Sequence, residues 1–293
     1  MAVEILRRRI KTTQDLRDIV SNMKMLSSVS ILQYEQADKA LDKYLRNLRD
    51  AFHVLAINGG LPQITDKKSK QSRSLFLLIG SDNGMVGRFN REITDNAVQY
   101  LREKRISLQN TFFITVGKRV SALAESKHFR TYRSYAVSNS VKAVSLLSEN
   151  VILSIDEIIR KEHIDEVWVI SHHREEHGQV KVERKKIIPF DVKRLQKLKS
   201  KKWETNNIPM LGVSTEKMFA ELVNEALMIS VAKEINASLA SEHYTRMTNM
   251  QNAEKNIDEN LEELNLEYQQ QRQADITDEL IDVISGAEAM KDK

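Results

Sequence analysis

The stretch Val213–Ser285, VSTEKMFAELVNEALMISVAKEINASLASEHYTRMTNMQNAEKNIDENLEELNLEYQQQRQADITDELIDVIS, contains neither glycine nor proline. Met1–Asn58 contains neither as well. All three prolines (Pro62, Pro189, Pro209) and every glycine but Gly286 fall between Gly59 and Gly212. At average usage of about 7% Gly and 5% Pro, the two stretches would hold roughly 16 such residues. In a helix interior Gly costs roughly 1 kcal/mol against Ala, and Pro roughly 3. Their absence predicts one very long helix at each end of the chain, with an ordinary domain between them.

The apolar spacing supports this division. Leu16, Ile19, Met23 and Leu26 are spaced 3, 4, 3, and Ala37, Leu41, Tyr44, Leu48, Ala51 and Leu55 continue the alternation. This is the stripe of a coiled-coil seam. Ser30 and Gln33 fall on the register between the two runs, so the seam is expected to be polar or shifted there. Asn58-Gly59-Gly60, with Pro62 beyond, marks the helix end. In the C-terminal stretch Phe219, Leu222, Ala226 and Ile229 form a stripe, as do Ile257, Leu261, Leu264 and Tyr268, then Ile276, Leu280 and Val283. Lys233, Asn236 and His243 make its middle more polar. At 1.5 Å per residue the helices would be roughly 80 and 110 Å long. A domain of about 130 residues, roughly 30 Å across, cannot cover them. They are therefore expected to pair with each other, and a domain joining the end of one to the start of the other makes the pairing antiparallel. The expected division is 1–58, an N-terminal coiled-coil helix; 59–210, a central α/β domain ending in a basic linker; and 211–293, a C-terminal coiled-coil helix.

The middle alternates strand and helix signals. Ser74–Gly80 (SLFLLIG), Thr111–Val116 (TFFITV), Glu166–Ser171 (EVWVIS) and Val180–Phe190 read as strands, and Asn90–Lys104 and Val141–Arg160 as helices. The alternation predicts a small, largely parallel, Rossmann-like α/β sheet, with the last two strands as an antiparallel hairpin turning at Gly178.

The composition of the 293 residues is 41% hydrophobic, 29% charged and only 6% aromatic, which suits exposed helix surface. The net charge of +4 is a weak pointer to an anionic partner. The absence of cysteine excludes disulfides and thiolate metal sites. The opening MAVEILRRRIKTT reads as the first turns of a helix, with no secretory or transit peptide. The longest apolar run, Leu75–Ile79, is far below the roughly 18 residues of a membrane span, so membrane association is expected only through partners.

Three stretches invite a chemical reading. Gly80-Ser81-Asp82-Asn83-Gly84-Met85-Val86-Gly87 lies between a strand and a helix, the place for a phosphate-cradling loop. It fits neither G-x-G-x-x-G nor G-x-x-x-x-G-K-[ST], and a tight turn explains its glycines as well. His173-Arg174-Glu175-Glu176-His177 spells H-x-x-E-H. A zinc site would need both histidines on one helix face, whereas this stretch reads as a polar hairpin loop. Lys181–Lys202 is densely basic, which fits either a nucleic-acid patch or a solvated strand edge and linker. No aromatic residue interleaves its basic residues between Lys193 and Lys202, so base stacking has little to work with. No serine nucleophile elbow is present.

Four segments are more specific than generic coiled coil. They are Arg272-Gln273-Ala274-Asp275-Ile276-Thr277-Asp278-Glu279-Leu280 with Ile284-Ser285-Gly286-Ala287; Ser241-Glu242 with Arg246-Met247, Asn249-Met250 and Ala253; Ser81-Asp82-Asn83-Gly84 through Gly87-Arg88-Phe89-Asn90; and Arg8-Arg9-Ile10 through Thr13-Gln14 to Met23-Lys24-Met25. In order and spacing, across the whole chain, they resemble the gamma subunit of the F-type ATP synthase. The resemblance implies a rotor: an asymmetric antiparallel coiled coil inside a ring of three alpha and three beta subunits, with the α/β domain outside, near the epsilon subunit and the membrane c-ring. It implies no catalytic residue, cofactor or metal on this chain, since the nucleotides lie on the ring, and no direct nucleic-acid partner. It places Arg272, Gln273 and Thr277 against loops of the catalytic subunits, and Met23 and Lys24 near the moving lever of beta. Small and polar residues such as Ser27, Ser28, Gln273 and Thr277 would give a sliding surface. It implies a peripheral location on the cytoplasmic face of a bacterial plasma membrane.

The sequence departs from the family at two places. Where members carry Arg-Gly-Leu-Cys-Gly-Gly, this chain has Asn83-Gly84-Met85-Val86-Gly87-Arg88, and Met25–Leu32 lacks basic residues. These departures resemble a divergent gamma of an alternate, sodium-linked bacterial ATPase. Two other readings stand beside the rotor: a coiled-coil scaffold or adaptor for nucleic acid built on the basic stretch, and a small α/β nucleotide- or metal-dependent enzyme.

Overall fold

The computed structural model describes residues 2–61, 73–137, 140–175, 177–191, 195–201, 203, 207 and 209–291, with side chains to residue 284. Helix α1 runs Ala2–Ile57 and the C-terminal helix α5 runs Thr215–Lys291. Between them lie β1 (Ser74–Ile79), α2 (Phe89–Lys104), β2 (Thr111–Val116), α3 (Lys118–Ser126), β3 (Thr131–Tyr135), α4 (Val141–Glu162), β4 (Glu166–Arg174) and β5 (Val180–Ile188). The chain forms two compact units, one of 1–28 with 246–293 and one of 29–245.

The long helices begin and end where the sequence signals say. Gly59, at φ +77, takes the left-handed conformation, and the amides of Gly59 and Gly60 donate back to the Ala56 and Leu55 carbonyls. This is a glycine-terminated helix end. Ser214 opens α5: its side chain accepts from the Lys217 amide and its carbonyl from the Met218 amide. Helix α5 continues through Gly286 to Lys291.

In the larger unit five strands form one sheet in the order β3-β2-β1-β4-β5. β1 is parallel to β2 and β4, β2 is parallel to β3, and β4 and β5 form the antiparallel edge hairpin. β5 ends at Ile188, because Pro189 has no N–H to give the ladder. β1 and β2 are buried on both faces, as parallel strands between helical layers must be. Leu75, Leu77 and Ile79 point into a core with α4 residues such as Val151 and Ile158, and with Tyr34 of α1 and Val231, Ile235 and Leu239 of α5. Phe76 and Leu78 point the other way, toward Ile93 and Ala97 of α2 and Val120 and Ala124 of α3. Sequence reading missed β3 and α3. β3, TYRSY, is an edge strand with no fully buried residue, and α3 has only nine residues, too short for a clear apolar period.

In the smaller unit α1 and α5 are antiparallel: Arg17 pairs with Asp258, Lys24 with Glu254, and the Ser28 hydroxyl meets the Met247 sulfur at 3.3 Å. The seam is not the expected one. Leu16, Ile19 and Leu26 are exposed, Leu26 by 67%, and Met23 is half-buried. A stripe of covered positions runs through Leu6, Ile10, Thr13, Arg17, Val20, Lys24 and Ser27, alternating 4 and 3, with Val3, Ser21, Met23 and Ser28 half-buried beside it. The period was right and the phase wrong, because this seam is polar at Thr13, Arg17, Lys24 and Ser27, with Arg17 and Lys24 pairing across it. Ser27 is buried in that seam, so it cannot be part of a sliding outer surface. On α5 the expected seam holds through Ile257, Leu261, Leu264 and Tyr268, but Ile276, Leu280 and Val283 are exposed.

Two leucines on α5 check this phase. Leu264 is 6% exposed and Leu266 59%. In urea unfolding of the purified chain, Leu264→Ala should cost about 2 kcal/mol or more, while Leu266→Ala should stay within about 0.5 kcal/mol.

Candidate partner surface and the closed ligand crevice

In open α/β sheets, ligands bind beyond the carboxyl ends of the strands where the strand order reverses. Here that place lies between β1 and β4, and α5 fills it. The Ser238 hydroxyl donates to the Ile79 carbonyl at 3.2 Å, and the Ser241 hydroxyl to the His172 carbonyl at 3.2 Å. The loop after β1 is also engaged by its own chain. The Asn90 Oδ1 accepts from the Ser81 amide at 2.8 Å, and the Asn90 side-chain NH2 donates to the Ser81 hydroxyl at 2.8 Å. The Asp82 carboxylate accepts from the Lys118 amide at 2.8 Å, where the first amides of α3 would otherwise favour an anion. Gly117, at φ +116, lets the two loops touch, since a Cβ there would lie 2.8 Å from the Gly80 carbonyl carbon and the Ser81 nitrogen. Gly80 and Gly117 serve close packing, and Gly87, at φ +57, takes the left-handed conformation.

The H-x-x-E-H stretch is also not a loop throughout. β4 extends to Arg174, so His173 stands on a strand, while Glu176 lies outside the described residues. The His173 Nε2 lies 2.8 Å from a carboxylate oxygen of Glu234, a buried α5 residue. The same oxygen accepts from the Ser171 hydroxyl at 2.7 Å, and the other from the Lys185 ammonium at 2.8 Å. Burial alone would raise the Glu234 carboxyl, but the His173 hydrogen bond and the Lys185 charge bring it down to about 2. Burial lowers the His173 imidazole, and the bond and charge of Glu234 outweigh it, leaving a raised value. Among the described residues no group of three or more His, Cys, Asp or Glu is arranged to hold a metal.

The β5 cations of the basic stretch are paired within the chain, while Lys197, Lys199 and Lys201 are exposed. Lys181 bonds Glu175, Arg184 reaches Glu103 and covers the Tyr100 ring, Lys185 bonds Glu234, and Lys186 bonds Glu166 beside Trp168. Lys193, Arg194 and Lys202 lie outside the described residues.

The residues expected to meet partners fall in the smaller unit. Lys24 is half-buried and bonded to Glu254, and that hydrogen bond pulls the Glu254 carboxyl below its usual range. Met23 is half-buried beside it. Arg272, Gln273 and Thr277 are exposed, and the Thr277 hydroxyl is turned back onto the Gln273 carbonyl at 2.8 Å. Around them stand apolar side chains in the open: Leu16, Ile19, Met25 and Leu26 on α1, and Ile276, Leu280, Ile281, Val283 and Ile284 on α5. Exposed large apolar side chains in such number mark surfaces that other chains cover. Sequence reading assigned several of them to the seam, because an apolar stripe for a partner has the same period as one for the facing helix.

The fold and surface define a class: a paired-helix protein whose α/β domain has its ligand crevice closed and whose helices offer apolar faces to other chains. A family model described as ATP synthase matches residues 2–290, and the chain belongs to that family. The ATP synthase gamma chain of Trichlorobacter lovleyi is 25% identical over 99% of both chains, and that of Geobacter metallireducens 26% over 99% of both. Among solved structures, the rotor of the Euglena gracilis mitochondrial ATP synthase aligns with TM-score 0.64 at 17% identity, covering 94% of this chain and 99% of that one. A chain of the same enzyme's OSCP/F1/c-ring structure aligns with TM-score 0.65 at 18% identity, covering 99% of this chain and 94% of that one.

His172 gives this architecture a pH signature. It is buried, stacked on Phe89 with ring centroids 3.8 Å apart, and 3.3 Å from Glu92. Burial lowers its imidazole to about 4, against the opposing pull of Glu92. A depressed histidine contributes stability above its unfolded value near 6.5 and loses it as pH falls through about 4. The chain should therefore lose up to about 3 kcal/mol of stability across that window. His172→Gln should flatten that part of the profile, measured by urea unfolding at each pH.

Proposed function

We infer that this chain is the central-stalk rotor subunit of an F-type ATP synthase, coupling ion-driven rotation to ATP synthesis or hydrolysis on partner alpha and beta subunits. It is a non-catalytic subunit. The observation that carries the reading is the family match over residues 2–290, on a chain whose two long helices carry exposed large apolar side chains. The closed crevice supports the same reading, since α5 and Asn90 occupy the places where a nucleotide would sit. The paired cations of β5 argue against the nucleic-acid adaptor.

In this reading the ring of three alpha and three beta subunits surrounds the smaller unit. Arg272, Gln273 and Thr277 meet loops of the catalytic subunits, and Met23 and Lys24 lie near the moving lever of beta. The α/β domain faces the epsilon subunit and the membrane c-ring. Among the described residues no helix is long and apolar enough to cross a membrane, so attachment would run through these partners. The gamma chains of Trichlorobacter lovleyi and Geobacter metallireducens are bacterial, which supports a peripheral location at the cytoplasmic face of a bacterial plasma membrane.

Co-expression tests the reading: the chain should co-purify with alpha and beta subunits, and a chain that stays monomeric beside both would overturn it. In the assembled complex, Arg272→Ala with Gln273→Ala should lower the ions pumped per ATP hydrolysed. The thermal midpoint of the purified chain should move by no more than about 2 °C, because both side chains are exposed.

A further inference from the structure

Between Lys233 and Ser241, α5 changes partner at almost every turn. Lys233 pairs with Asp42 of α1, and the Asn236 side chain donates to the Tyr34 carbonyl of α1 at 2.8 Å. Glu234 takes Ser171 and His173 of β4 and Lys185 of β5, while Ser238 and Ser241 hold the ends of β1 and β4. Nearer its start α5 is seated differently: Met218, Phe219, Leu222 and Ala226 pack in an apolar cluster with Leu48, Phe52 and Leu55 of α1. Apolar packing is non-directional. It resists separation of two helices well, and rotation or sliding of one against the other poorly. A charge-assisted hydrogen bond is directional and holds a register.

We propose that Glu234 is the positioning residue of a torque-bearing joint: one buried carboxylate, held by Ser171, His173 and Lys185, locks α5 in rotational register against the edge hairpin of the α/β domain. The inference rests on the rotor reading. A rotor driven at its α/β domain must pass torque into its helices, and this cluster supplies charge-assisted bonds that join α5 to the hairpin. Glu234 is suited to the role because it is 2% exposed and spends both carboxylate oxygens on the hairpin. Without the carboxylate, three donors on β4 and β5 lose a common acceptor, while the apolar contacts stay.

The test uses the complete complex in sealed vesicles. ATP hydrolysis is measured beside ATP-driven membrane potential, read by a voltage-sensitive dye that responds to either transported cation. Glu234→Gln keeps the volume and removes the charge. It should leave hydrolysis within about twofold of wild type and lower the potential reached per ATP hydrolysed. A loss of fold would lower both together, so the split marks a joint. Hydrogen exchange on the same complex should show roughly tenfold faster exchange confined to β4, β5 and residues 230–241, while α2 and α3 stay protected. If Glu234→Gln does not assemble, Lys185→Met removes only a half-exposed donor and should give the same split in smaller measure. An assembling variant with wild-type potential per ATP and wild-type exchange overturns the joint. Failure of the wild-type complex to build any potential overturns the rotor reading instead.

Discussion

The seating of α5 across the carboxyl edge of the sheet is the interaction on which the rest of the larger unit depends. A nucleotide-binding fold leaves that edge open. Here Ser238 and Ser241 use it as hydrogen-bond acceptors, and Ile235 and Leu239 fill the space beneath with apolar volume. One placement has two consequences. It removes the crevice where an α/β domain would do chemistry, and it turns the domain into a mount for a 77-residue helix.

The same helix shows how a long rod divides its labour along its length. Near its start it packs on α1 through aromatic and aliphatic side chains. In its middle it trades them for buried polar groups: Glu234, Asn236, Ser238, Ser241, Glu242 and Arg246 are all nearly inaccessible. Buried polar groups are costly unless satisfied, and satisfied ones fix a unique geometry. Toward its end its apolar residues face outward, where other chains can meet them. Stiffness comes from the missing glycines and prolines, and register from the polar middle.

Much of this was legible in the sequence. The absence of Gly and Pro gave both long helices, and Gly59-Gly60 gave the end of α1 almost to the residue. Continuous apolar runs gave β1, β2 and β4, and the turn at Gly178 gave the hairpin. Two things were hidden for a physical reason. The seam of α1 in the smaller unit is polar at Thr13, Arg17, Lys24 and Ser27, so apolar periodicity pointed to the outward stripe of Leu16, Ile19 and Leu26. The role of His173 was hidden because its partner Glu234 is 61 residues away in the chain. Of the expected contact residues, Arg272, Gln273 and Thr277 are exposed, while Lys24 is tied to Glu254.

The central claim is that this chain turns as an axle while others carry out catalysis. Its most direct test fixes an alpha–beta ring containing this chain to a surface, attaches a bead to the exposed face of the α/β domain, and follows the bead under ATP. The account predicts unidirectional rotation in three equal steps per turn. Steady ATP hydrolysis by a complex whose bead does not rotate would contradict it.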